Sequence, residues 1–192
     1  MSPFTYVWVP RAGPGRVAPS SGTGSLTPVT LPPVVELAQR AAAAATLPTP
    51  GALGFNPDRI DGRSPVTIVN YPTWLWVDGS HWHSVRAQAA IGPERASVVA
   101  APTEVTWQMG DGHTVTCAGP GVRWTPQAGA SDCTYAYPNG SGGRLLRVTA
   151  TIHWSVSWTS NVGQSGTLPT MTTSSSAPLE VDQVETVLTP TG

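Results

Sequence analysis

Four histidines, eleven carboxylates, two cysteines and eight tryptophans are the side chains through which this chain could do chemistry. His81 and His83 flank Trp82 and, on a strand, would place two imidazoles on one face, as a zinc site wants. No third ligand stands beside them, so a histidine pair on a hairpin is the plainer expectation. Asp111 sits in a Gly-Asp-Gly turn, a setting in which carboxylates often hold Ca²⁺. Asp78, Asp132 and Glu104 are the acids that could join it, but no EF-hand spacing exists and a turn role is expected. Serine is plentiful, yet there is no Gly-x-Ser-x-Gly elbow. The acids are scattered, without the paired setting of a glycosidase. All ten basic residues are arginine, and a chain without lysine has no P-loop, no Schiff base and no Ser–Lys dyad. The expectation is no catalytic residue, no metal and no cofactor.

Cys117 and Cys133 lie among turn-forming residues and outside any CxxC. Read as a disulfide they close a short loop worth roughly 3 kcal/mol; the plain alternative is two buried thiols. Trp107, Trp154 and Trp158 fall on alternating apolar faces and suit a core. Trp74, Trp76 and Trp82 straddle Asp78-Gly79, too many for all to be inside, and Trp124 sits in the loop between the cysteines. Tryptophans left on a β-surface can stack on sugar rings or anchor a protein partner.

The elements that must position these residues follow from pattern. Residues 1–63 read as an extended arm rich in Pro, Gly and Ala. It holds one strand-like patch at 4–9, where Phe4, Tyr6 and Trp8 alternate, and one short helix at about 33–47. Pro33 suits the first turn, Glu36 the positive end, and Val34, Leu37 and Ala41 make one weak apolar stripe. The rest of the arm reads as linker. Residues 64–189 change to period two. Strands are expected at 66–69, 74–77, 97–101, 105–109 and 179–188, with a hairpin at Asp78-Gly79 leading into His83, Val85, Ala87, Ala89 and Ile91. The cleanest strand spans 147–158: Val148, Ala150, Ile152, Trp154, Val156 and Trp158 share one face, with Thr149, Thr151, His153, Ser155 and Ser157 opposite. Seven to nine short strands indicate an all-β, antiparallel β-sandwich.

The stretch 106–112 (TWQMGDG) resembles the Trp-x-Phe-Gly-Asp-Gly signature of polycystic-kidney-disease (PKD) repeats, which are immunoglobulin-like extracellular sandwiches. CTYAY at 133–137 followed by VTATI at 148–152 resembles the end of that family's pattern, with Tyr137 matching its tyrosine and Trp107, Gly110, Asp111 and Gly112 its turn. Met109 stands where the family has Phe, two cysteines bracket the intervening loop, and an excursion at 139–144 precedes the final strand. Across about 31–189 the chain also resembles a family of actinomycete secreted proteins, through VNYPTWLWVD (69–78), WQMGDGHTVTCAGPG, CTYAY, VTATIHWSVSW and LAQRAAAAATLPTP. Some members of that family are labelled ATP/GTP-binding, but no glycine-rich loop ending in Gly-Lys-Ser/Thr stands here. The resemblance implies an exported PKD-like domain and brings no catalytic residues.

Residues 1–20 have neither a basic start nor an apolar stretch of roughly 7–15 residues, so the expectation is a fragment whose signal peptide has been removed. Net charge −1 argues against a nucleic-acid partner, and no apolar run approaches the roughly 20 residues of a membrane span. The function expected is a non-catalytic module at the cell surface, serving protein–protein adhesion or assembly. Its partner is a protein, a second copy included, with the 4–9 strand adding to a neighbour's sheet to build filaments. A carbohydrate-binding module using the Trp-rich hairpin and a cell-surface glycan is the alternative, and an uncharacterised enzyme the second.

Overall fold

The computed structural model describes residues 33–56 and 65–183. The chain divides into a unit of Met1–Thr30 and a unit of Leu31–Gly192, and the described residues all belong to the second. The strand expected at 4–9, with Phe4, Tyr6 and Trp8, lies outside them. Along the described chain, helix α1 (Val34–Ala44) is followed by strands β1 (Gly54–Asn56), β2 (Val66–Ile68), β3 (Thr73–Trp76), β4 (Val85–Ile91), β5 (Glu94–Gln108), β6 (Thr114–Cys117), β7 (Thr134–Tyr135), β8 (Leu146–Ser160) and β9 (Ser165–Asp182). The domain is all-β apart from that helix. A three-stranded sheet, β1-β3-β7, faces a six-stranded one in the order β2-β9-β8-β5-β4, with β6 also paired to β5.

The alternation in 147–158 makes β8 the axis of the large sheet. Its six apolar residues are all buried, while Thr149 and Thr151 bond outward to Ser176 and Ser174 of β9 at 2.8 and 2.9 Å. The pairing is not purely antiparallel, as the sequence suggested. β2 lies parallel to β9, with Val66 opposite Glu180.

The two strands expected at 97–101 and 105–109 are one, β5, with a register shift between Pro102 and Glu104. Ala96, Val98 and Ala100 are buried before the shift, Val105 and Trp107 after it. Inward positions therefore change from even to odd, which one extra residue in the strand accomplishes. β9 does the same opposite Trp154 and Val156, with Leu168 inward on one side and Met171 on the other. A proline stands at each irregularity, Pro102 and Pro169, where a missing N–H breaks no ladder bond. Both shifts flank the middle of β8, and the sheet is strongly curled.

The helix expected over 33–47 occupies Val34–Ala44 and is core material rather than a spacer. Val34, Leu37, Ala38, Ala41 and Ala42 are buried, and the helix packs on β4, β5 and β8. Alanines let its backbone lie close to the sheet. Linker was also expected at 54–56, but Gly54–Asn56 pairs antiparallel with Trp74–Trp76. No hairpin forms at Asp78-Gly79: Gly79–His81 is a single 3₁₀ turn, and the strands on either side belong to different sheets. The closing strand begins at Ser165 rather than 179; of the expected 179–188, positions 184–188 lie outside the described residues.

Candidate functional site

Cys117 and Cys133 are bonded, with Cα atoms 5.4 Å apart. Cys117 ends β6 on the large sheet and Cys133 precedes β7 on the small one, so the bond clips the two sheets together at one edge.

The WQMGDG turn is built from both sheets. Trp107 and Met109 are fully buried, and Gly110 and Gly112 take φ of 81° and 96°, a region that disfavours side chains. The Asp111 carboxylate accepts from the His113 backbone N–H at 3.0 Å and from the Tyr135 hydroxyl at 2.8 Å. The His113 imidazole lies 3.2 Å away, and the aspartate side chain is 19% exposed. Burial raises the Asp111 pKa, but these partners outweigh it and hold the group below its ordinary 3.8. Burial, with the same contact, pushes Tyr135 up to about 12. Tyr137, packed edge-on against Tyr135, donates to the Met109 carbonyl at 3.0 Å. Asp111 is thus committed to holding the turn. Among the described residues no three His, Cys, Asp or Glu side chains gather to share an ion.

This network gives a pH prediction. A depressed folded pKa contributes stability above the unfolded value, and that stability is lost as pH falls through the folded value. The melting-temperature gap between wild type and Asp111→Ala should be full at neutral pH and narrow only below the ordinary 3.8. A gap that widens with acid, or a melting point raised by Ca²⁺ only when Asp111 is present, would overturn the turn role.

His81 and His83 do not converge on one strand face. The Nδ1 of His81 donates to the Thr49 carbonyl and that of His83 to the Ser80 carbonyl, each at 2.8 Å. The tryptophans of that region separate as well. Trp82 packs against the core. Trp74 and Trp76 alternate with buried Thr73, Leu75 and Val77 and so stand half-exposed together on the outer face of β3. Trp124 is 42% exposed in the cysteine-bracketed loop.

What holds Trp76 was not visible in sequence. It is paired with Gly54, and a Cβ there would fall 1.9 Å from the indole, so the ring lies flat over the glycine. Beside it opens a cleft of about 300 Å³ bordered by Gly54, Trp76, Asp78 and Arg123. Ser80 donates to one oxygen of Asp78 through its hydroxyl and its backbone N–H, at 2.7 and 2.9 Å. These bonds hold the carboxylate below the usual range, with His81 and Arg123 adding to the effect. An aromatic wall, a fixed carboxylate and a guanidinium therefore share one open cleft. Arg123 had no sequence signal, since it stands in a loop without periodicity. No family model, curated protein or solved structure matches the chain.

Proposed function

We propose that this is an exported, non-catalytic PKD-like module that works by adhesion at the cell surface, with the outer face of the three-stranded sheet as its contact surface. The observation that carries the reading is Trp74 and Trp76 side by side outside the core. Paired half-exposed indoles offer a large rigid anchor at little entropic cost. Export is supported by the disulfide, which persists in oxidising compartments, and no described helix is long and apolar enough to cross a membrane. The PKD-like assignment is supported by the positive-φ glycine turn and by Tyr137 reaching back to Met109, which ties the two halves of the motif.

A second reading has its own support. The Trp76 wall with Asp78 and Arg123 is the chemistry that holds a sugar: a ring face stacks on indole, and neighbouring hydroxyls bond to a carboxylate and a guanidinium. At about 300 Å³ the cleft is at the small end for a ligand site, suited to one or two sugar rings. Capture of intact actinomycete cells by immobilised protein tests the face. We expect capture by wild type and at least a tenfold loss in the Trp74→Ala/Trp76→Ala variant at unchanged melting temperature. Glycan-array binding lost in both that variant and Arg123→Ala would make the partner a glycan. Capture that survives the double substitution sinks this face.

A further inference from the structure

The large sheet ends, on the β4 side, in an open edge. β4 pairs with β5 along Val85–Ile91, and no described element bonds to its other side. Edges of natural sheets are guarded by shortness, proline, bulges or inward charges. Of the other edge strands, β2 and β1 have three residues, β6 four and β7 two; β9 is also open over 165–179, where β2 does not reach, but it carries Pro169, Pro178 and a register shift. β4 has seven, without proline or register shift. Its one charge, Arg86, is on the exposed side.

The hairpin fixes which groups face the opening. Ile91 and Glu94 close a two-residue connection, Gly92-Pro93, with Gly92 at φ 55°. The closing pair of such a turn bonds to itself, so Ile91, Ala89, Ala87 and Val85 point their N–H and C=O toward β5. By alternation, Arg86, Gln88 and Ala90 point theirs outward.

We propose that two copies of this chain pair their β4 strands antiparallel about Gln88, making one continuous sheet across a two-fold axis. In that register every outward group finds a partner: Arg86 opposes Ala90 of the second copy, and Gln88 opposes Gln88. On the inner side Val85 opposes Ile91 and Ala87 opposes Ala89, which joins two half-buried apolar stripes already packed against their cores. No like charges stand directly opposite, and a chain of net charge −1 repels its copy little. A one-residue slip would turn the apolar stripe outward, and a two-residue slip leaves outward groups unpaired. The contact is isologous and closes on itself. It does not use the Trp74/Trp76 face, and its failure leaves that reading intact.

The test is sedimentation of the full chain from micromolar to millimolar concentration. Wild type should shift from monomer to dimer. Gln88→Pro removes an N–H that β5 does not use, so the hairpin should survive while the dissociation constant rises at least tenfold at unchanged melting temperature. Register is read separately by mild oxidation: Gln88→Cys should give a covalent dimer, as should Arg86→Cys/Ala90→Cys, while Arg86→Cys alone should not. A wild type monomeric throughout overturns the proposal, as does cross-linking by Arg86→Cys alone equal to that of Gln88→Cys.

Discussion

Leu37→Ala should destabilise the protein by about 2–5 kcal/mol in urea unfolding, the range for truncating a buried leucine. Leu37 is 1% exposed and stands on the helix face that packs on β4 and β5. Its neighbours on that face are Val34 and three alanines, and alanines fill space without being able to collapse into a void. Val35, two residues earlier, is 41% exposed, so Val35→Ala should change stability by no more than about 0.5 kcal/mol. A Leu37→Ala variant as stable as Val35→Ala would mean that the helix lies off the core. The pair of variants separates helix propensity from packing, because both replacements favour the helix intrinsically.

Replacing Cys117 and Cys133 together by alanine should cost about 3 kcal/mol, the loop-closure value for roughly 15 residues. The separation here is 16 positions. Unreduced, denatured wild type should show no free thiol on titration; two free thiols would refute the bond and the oxidising compartment with it. Because the bond joins β6 to the approach of β7, the loss should appear first as exchange of the β7 amides. Amides in the middle of β8 should stay protected until global unfolding.

Much of the framework was legible because it is local. The alternation in β8 announces its buried face, the alanines with Pro33 announce a helix, and two isolated cysteines announce their bond. What escaped depends on partners distant in sequence. The Thr/Ser-rich segment 165–178 shows no apolar alternation to mark it, yet it is a strand because β8 supplies its ladder. The change from even to odd positions across Pro102 and Pro169 was present in the sequence, but it separates a broken strand from a bulged one only when the neighbour is known. Asp78-Gly79 misled for a related reason: the dipeptide suits a hairpin, and Ser80 captured the aspartate for a 3₁₀ turn instead. Of the candidate site, Trp74 and Trp76 were legible as surplus to the core. Gly54 and Arg123 were not, since their roles exist only once β1 pairs with β3 and the cysteine-bracketed loop brings Arg123 beside Trp76.

The parallel alignment of β2 with the last residues of β9 has a mechanical consequence. Helix α1 packs on β4, and thus at the end of the large sheet where β4 meets residues 94–100 of β5; the chain leaves β9 at Asp182, level with the opposite end, beside Leu146. β8 is 15 residues long, roughly 50 Å at 3.3 Å per residue. Tension applied between the helix and that exit therefore runs along the strands, and it must slide the β8–β9 ladder and the β2–β9 contact in shear, with many backbone bonds sharing the load at once. Peeling, which breaks such bonds one at a time, is the easier route for most hairpins but is not the route this geometry presents. A domain loaded this way yields late and abruptly.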